Sequence, residues 1–153
     1  MPIISIKRAN VRINHFIRAK AYILRVLRQG DVMNLRGIML GSENAKALGE
    51  FYTKLFGEPG MQHDDWYGFM IGDGSLMIGP HSEVKGKNTT PGRIMFNFDS
   101  ENVKADFERI KSLGAEVVAE PYQPGKDDNS DMWLATFADP DGNYFQLATP
   151  WKD

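Results

Sequence analysis

Residues 42–47 read SENAKA, and 58 positions later residues 100–105 read SENVKA. Each copy follows a short apolar run, residues 38–40 in the first case and 94–98 in the second. Each copy also leads into a stretch with helical spacing that ends at a glycine. Self-similarity at a fixed offset indicates one structural unit used twice. The sequence therefore predicts two copies of a single module.

The spacing of apolar residues predicts one helix in each copy. The first runs from about Asn44 to Phe56 and the second from about Glu101 to Leu113. Their apolar faces consist of residues that recur every three or four positions, namely Leu48, Phe51, Tyr52 and Leu55 in the first helix and Val103, Phe107, Ile110 and Leu113 in the second.

Residues at both ends of these segments have the chemistry of helix caps. Ser42 or Asn44 is expected to cap the first helix, and Ser100 the second, because their side-chain oxygens can accept from free N–H groups. Gly57 and Gly114 suit the left-handed position that often follows a last turn.

Strand-like segments follow each helix. In the first copy, residues 66–71 and 76–78 flank Gly72-Asp73-Gly74, a hairpin signal. In the second copy, residues 116–119, 132–138 and 144–147 read as strands, the last two joined by the turn Asp139-Pro140-Asp141-Gly142. Each copy is therefore predicted as β-α-β-β-β. Residues 58–65 have the weakest strand character.

The predicted fold class is α+β. Two βαβββ modules, residues 34–89 and 92–149, are expected to form a curved mixed sheet, a cup around a cleft, with the helices on its outer face. A single module leaves one sheet face open. Pairing two modules can enclose a cavity, which is a physical reason for the duplication.

Bulk composition excludes several classes of function. The net charge of −2 gives no electrostatic case for nucleic acid. The chain has no cysteine, so disulfides, thiolate metal sites and thiol nucleophiles are excluded. No apolar run reaches the roughly 18 residues of a membrane span. A cytoplasmic location is the expectation.

Residues 1–32 differ in charge from the rest of the chain and are predicted to be a basic N-terminal extension outside the domain at 33–153. They carry seven cations and one carboxylate, a net charge of +6, from Lys7, Arg8, Arg12, Arg18, Lys20, Arg25, Arg28 and Asp31. Residues 10–28 also have amphipathic character. A helix docked on the domain and a targeting or membrane-surface segment are the alternatives.

Three stretches, in this order on a duplicated frame, resemble the vicinal-oxygen-chelate superfamily, which includes glyoxalase I, extradiol dioxygenases and bleomycin-resistance proteins. They are residues 50–57 (EFYTKLFG), 109–115 (RIKSLGA) and 137–143 (FADPDGN). The resemblance implies a small-molecule ligand and a homodimer. Because fold does not determine function, it leaves the chemistry open.

Metal-dependent members of this superfamily place His, Glu or Gln on the first and last strand of each module. Taken as first strands, residues 35–38 and 93–96 offer no such group, and neither does the strand at 76–78. Gln146 alone occupies such a position, and one neutral amide cannot compensate a dication. We therefore predict no metal cofactor. The alternative is an atypical Zn, Ni, Mn or Fe site that uses Gln146, His63 or His81.

The predicted ligand cleft is aromatic and rich in methionine. Its apolar lining is predicted from strand residues, namely Trp66, Phe69, Met77, Phe96, Phe98, Trp133 and Phe145. Gln146 is expected to supply hydrogen bonds, and Arg36 to pair with a ligand anion. Such a lining suits a flat, partly apolar ligand.

The first hypothesis for function is therefore a metal-free protein that binds a flat aromatic or amphipathic molecule, with a role in resistance or sequestration. The second hypothesis is a glyoxalase- or dioxygenase-like enzyme, a lyase or oxidoreductase, with an atypical metal site. A third is a vestigial cleft on a domain whose surface serves protein assembly. The sequence identifies no catalytic residue: it has no HExxH, phosphate-binding glycine loop or Gly-x-Ser-x-Gly elbow.

Overall fold

A computed structural model describes residues 35–125 and 131–150 of the chain. The predicted extension at 1–32 lies outside these residues, so its boundary stays a prediction. The elements follow in chain order: β1 (Gly37–Ser42), α1 (Ala45–Phe56), β2 (Met61–His63), β3 (Trp66–Ile71), β4 (Gly74–Pro80), a 3-10 turn (Pro91–Arg93), β5 (Phe96–Asp99), α2 (Val103–Ser112), β6 (Glu116–Tyr122), β7 (Leu134–Ala138) and β8 (Tyr144–Ala148).

The strands form two four-stranded mixed sheets, which confirms the α+β fold class and the duplicated βαβββ module. Sheet one has the order β1-β4-β3-β2, and sheet two repeats it as β5-β8-β7-β6. In both, the first and last strands of the module pair in parallel and the remaining neighbours are antiparallel. The weakly predicted strand of the first module is the short β2.

The repeated hexapeptide begins each helix through its asparagine. The Asn44 side chain accepts a hydrogen bond from the Ala47 N–H at 3.2 Å, and Asn102 accepts from the Ala105 N–H at 3.1 Å. The prediction that Ser100 caps α2 was wrong, because its hydroxyl instead donates to the Asp106 carboxylate at 2.7 Å. An asparagine oxygen at this position satisfies an N–H that the helix leaves free.

The first strand of each module lies further along the chain than the sequence predicted. Residues 35–38 were taken as the first strand of module one, but β1 begins at Gly37 and continues to Ser42. Residues 93–96 were taken as the first strand of module two, but β5 begins only at Phe96. Leu35 and Ile94 are 89% and 69% exposed, so apolar character there does not mark a buried strand.

Helix α1 packs on sheet one with almost no space between them. Gly49 lies against the ring of Tyr67, which is buried, and a Cβ at this glycine would overlap that ring. Leu48 and Leu55 of α1 are buried in the same core. Glycine thus costs some helix propensity but allows close approach of the helix to the sheet.

The same helix also joins the two modules. Tyr52 of α1 is fully buried, and its ring lies 6.4 Å from that of Phe145 on β8. The neighbouring Phe56 makes an edge contact with Phe98 of β5 at 5.0 Å. Helix α2 covers sheet two through Phe107, which stacks on Phe137 at 5.1 Å. The aromatic side chains therefore form one core that runs through both modules.

A hydrogen bond at this junction links α1 to the turn between β7 and β8. The Tyr52 hydroxyl donates to Asp139 Oδ2 at 3.1 Å. Asp139 also accepts from the backbone N–H groups of Asp141 and Asn143 and from the Asn143 side chain. The predicted Asp139-Pro140-Asp141-Gly142 turn is present, with Gly142 at φ 77°. Asp139 therefore holds both the turn and the helix of the other module.

Burial raises the pKa of both members of this pair. Desolvation raises the pKa of the Tyr52 hydroxyl above its ordinary value, so it remains a proton donor. The pKa of Asp139 is also raised, because desolvation and the nearby Asp141 outweigh the hydrogen bonds from Asn143 and Tyr52, which lower it. A buried carboxylate with four donors is compatible with the interior, whereas one that has lost a donor is not.

We expect Tyr52→Phe to reduce the free energy of unfolding by about 1–2 kcal/mol, because it leaves the buried Asp139 with one donor fewer. Urea denaturation followed by circular dichroism measures this. Tyr122→Phe is the matched control, because Tyr122 is 42% exposed. Equal stability of the two variants would show that the hydroxyl does not hold the modules together.

Candidate functional site

Strand alternation gives each sheet a helix-covered face and an open face, the one turned away from the helices. On sheet one, Tyr67 and Phe69 of β3 lie opposite Ile78 and Leu76 of β4, and all four are buried under α1. The residues between them point to the other side. The open face of sheet one therefore carries Met39, Met61, Trp66, Met70 and Met77.

Glycines make room for the large side chains of this open face. The Trp66 ring lies directly against Gly79 of β4, and a Cβ there would overlap it. The Met77 sulfur lies 3.0 Å from the position that a Cβ on Gly68 would take. The same open face carries the strongly exposed Met70, at 71%, and the half-exposed Met39.

The open face of sheet two is polar in its centre. Gln146 of β8 lies between Asn97 of β5 and Thr136 of β7 in the strand register. Its side-chain amide donates to the Thr136 hydroxyl at 3.1 Å. Thr136 is buried and Gln146 half-buried, so this pair fixes the amide at the surface of the sheet.

The structure separates the nine predicted cleft residues instead of bringing them together. Trp66 and Met77 lie on the open face of sheet one, and Gln146 lies on that of sheet two. Four others, Phe69, Phe96, Phe98 and Phe145, lie on the helix-covered faces, in or against the core. Whether any of the nine binds a ligand stays a prediction.

Of the remaining two, Trp133 also packs against the core, and Arg36 lies apart from it. The ring of Trp133 lies beneath Lys104 of α2, whose Nζ is 3.7 Å from the ring centroid. Arg36 directly precedes β1, and its carbonyl oxygen accepts from the Ser75 hydroxyl at 3.1 Å. A cation over an indole face is a favourable local contact, so Trp133 has a structural partner already.

Met39 and Met61 were not predicted as cleft residues, although both belong to the open face of sheet one. Their signal was available in the pattern of glycines, since Gly37 and Gly41 flank Met39 at two-residue spacing. Small residues alternating with methionine on one side of a strand indicate a face that accommodates something other than its own helix.

A cavity of about 730 Å³ lies at the junction of the modules, bordered mainly by residues of the helix-covered faces and also by Ser75, Asn97 and Asp99 of the open faces. It is bounded by the last turn of α1, the β3–β4 hairpin, β5 and α2. Its lining includes Ile38, Leu55, Phe56, Ile71, Phe96, Phe98 and Ile110, with the charged residues Asp73, Asp99, Asp106 and Arg109. Phe96 and Phe98 are the two predicted cleft residues that border it.

The residues present do not fit the metal site that the superfamily implies. With the strands correctly placed, the positions on the first and last strands hold Met39 and Met77 in module one and Asn97 and Gln146 in module two. Within residues 35–125 and 131–150, no group of three or more His, Cys, Asp or Glu side chains converges to hold an ion. Thioether and neutral amide groups do not supply the charge that a hard or borderline dication requires.

The two histidines of the domain are engaged separately. His63, at the end of β2, lies 3.2 Å from the Asp64 carboxylate in an exposed pair. His81 follows β4, and its Nδ1 accepts from the Glu83 N–H at 3.2 Å. Neither histidine lies on the open face of sheet two, where Gln146 is, so the three side chains do not form one set of metal ligands.

The duplicated βαβββ frame with parallel first and last strands defines a two-module α+β domain. A family model for the glyoxalase-like domain matches residues 37–148. The chain therefore belongs to the glyoxalase-like domain family, which confirms the resemblance to the vicinal-oxygen-chelate superfamily. A search of curated proteins gave no match.

Solved structures share the fold at low sequence identity. One is a glyoxalase/bleomycin resistance protein/dioxygenase family enzyme from Burkholderia phytofirmans PsJN, with 19% identity, a TM-score of 0.60, and coverage of 76% of this chain and 98% of that one. A glyoxalase-related enzyme from Fulvimarina pelagi has 19% identity and a TM-score of 0.59, over 78% of this chain and 89% of that one. A glyoxalase/bleomycin resistance protein from Albidiferax ferrireducens T118 has 21% identity and a TM-score of 0.56, over 75% and 98%.

Neither described helix could cross a bilayer, since α1 has 12 residues and α2 has 10. A membrane-spanning helix needs about 20 apolar residues.

We expect the purified full chain to bind no stoichiometric Zn, Ni, Mn or Fe and to keep its melting temperature when EDTA is added. Elemental analysis and thermal unfolding measure the two quantities. Gln146→Ala serves as the comparison. A stoichiometric metal that is lost in this variant would support the alternative, an enzyme with an atypical metal site.

Proposed function

We propose that this glyoxalase-like protein binds a flat aromatic or amphipathic small molecule without a metal, in a sequestering or resistance role. The observation that supports the proposal is the open face of sheet one, where the Trp66 ring lies against Gly79 and four methionines share the same face. Contiguous exposed apolar surface of this kind is unusual in proteins unless it contacts a ligand or another protein.

The chemistry of this face suits a planar ligand. An indole provides a large rigid surface for stacking, at small cost in conformational entropy. Methionine side chains are flexible and polarizable, so Met39, Met70 and Met77 can adapt to ligands of different outline. The same combination explains how one site could accept a class of molecules.

The open face of sheet two supplies the complementary polar groups. The Gln146 amide is held by Thr136, and Asn97 lies beside it in register. A few fixed polar groups in a mostly apolar site set the orientation of a ligand. We assign to Gln146 and Asn97 the role of hydrogen-bonding the polar edge of the bound molecule.

A second copy of the chain would complete this site. In one chain the helices occupy the faces at which the two modules meet, so the open faces are turned away from that core. Apposition of open faces from two copies would cover the methionines and enclose a cup. The homodimer is thus part of the proposal, with a ligand bound between the copies.

We expect flat aromatic compounds, such as 8-anilinonaphthalene-1-sulfonate in a wider panel, to raise the melting temperature of the protein. Trp66→Ala should weaken binding about tenfold, because the stacking surface is lost. Trp133→Phe is the matched control, since Trp133 lies under Lys104. An unchanged response in Trp66→Ala, or no response to any compound in the unaltered protein, would refute ligand binding at this face.

We expect the chain to sediment as a dimer and the double variant Met39→Glu, Met70→Glu to sediment as a monomer, because the interface would have to bury two unpaired charges. Ile94→Glu is the control, since Ile94 is exposed but lies outside the open faces. Sedimentation velocity over a range of concentrations measures both. A monomeric unaltered chain, or a dimeric double variant, would exclude the proposed apposition.

A further inference from the structure

The cavity at the module junction meets the open faces only through Ser75, Asn97 and Asp99. The hairpin between β3 and β4 borders it, whereas Trp66, Met77 and Gln146 do not. Its volume of about 730 Å³ falls within the range of roughly 300–1,000 Å³ that is typical of small-molecule sites. Of the residues to which we assign ligand binding at the open faces, Asn97 alone borders it.

The wall of the cavity is apolar over most of its extent. Phe56 at the end of α1 and Phe98 on β5 border it with their rings in edge contact at 5.0 Å. Ile71 and Ile110 add aliphatic surface from the hairpin and from α2. These groups can accommodate the body of an aromatic or aliphatic molecule.

The charged residues that border the cavity include more carboxylates than cations. Arg109 Nε donates to Asp106 Oδ1 at 3.2 Å, and Asp106 also accepts from the Ser100 hydroxyl, so this pair is neutral within itself. Asp73 in the hairpin and Asp99 at the end of β5 border the same cavity. Among the residues that the structure describes, neither makes an ion pair.

We propose that this cavity binds a cationic amphipath, a molecule with an aromatic or aliphatic body and an ammonium group. The apolar wall holds the body, and the two unpaired carboxylates of Asp73 and Asp99 attract the charge. The neutral Asp106–Arg109 pair fixes the α2 side of the cavity. Both carboxylates are exposed, so the electrostatic contribution is modest and falls as salt is added.

Three probes that share one ring test the assignment on the full chain: 1-naphthylmethylamine, 1-naphthylmethanol and 1-naphthylacetate. Calorimetric titration should show the amine binding about fivefold more tightly than the alcohol and the acetate most weakly, a preference of the size that two screened charges provide. The double variant Asp73→Asn, Asp99→Asn should bind amine and alcohol almost equally. Asp64→Asn is the matched control, because Asp64 is exposed and lies outside the cavity.

Methyl NMR locates the bound probe. The amine should shift the resonances of Ile38, Ile71 and Ile110, which border the cavity, and leave those of Met39 and Met70 on the open face unchanged. Shifts confined to the methionines, equal affinity for the three probes, or an absence of saturable binding would each overturn the proposal. A preference for the acetate would also overturn it and would assign anion recognition to Arg109. Because the Trp66→Ala variant reports on the open face, the two proposals can fail independently.

Discussion

The hydrogen bond from Tyr52 to Asp139 is the constraint on which the rest of this structure depends. It connects a helix of module one to a turn of module two across 87 residues of sequence. Asp139 is 2% exposed, so its charge requires every donor that surrounds it. Because the donor comes from the other module, the turn, the helix and both sheets must be in place together. If each module satisfied its own buried polar groups, no hydrogen bond would hold the two modules in one relative arrangement.

This arrangement has a direct consequence for the surface. Because α1 contacts both sheets through Tyr52 and Phe56, the helix-covered faces are buried together in a common core. The remaining face of each sheet has no covering element within the described part of the chain. Met39, Met61 and Met70 are therefore exposed, and Trp66 and Met77 half-buried, as a result of how the modules join. The cavity beside Phe98 has the same origin, since two helices and a hairpin of different modules do not close completely over it.

Much of the fold could be predicted from the sequence, because its signals are local. Helical spacing located α1 and α2, and the Asp139-Pro140-Asp141-Gly142 turn located β7 and β8. The first strands were placed too early because short apolar runs have no sharp boundary: Ile94 has strand-like character but is exposed. It was harder still to predict which face of the sheet each strand residue occupies, since Phe69 and Trp66 look equally suitable for a cleft. Only the register, together with the position of α1, assigns one to the core and the other to the open face. The cavity could not be predicted at all, because Asp73 and Arg109 are brought together by the contact between modules.

Comparing the two modules position by position shows how the duplication has diverged. At the repeat offset of 58 residues, Met39 of β1 corresponds to Asn97 of β5. Their strand partners in parallel register are Met77 and Gln146. The same two places on equivalent strands thus hold thioethers in one module and amides in the other. An amide pair can hydrogen-bond the edge of an organic molecule, and a methionine pair can cover its face, but neither provides the negative charge that stabilises a bound dication. The divergence of the repeat therefore leaves the two modules with chemically different open faces, one apolar and one polar, on the same backbone frame.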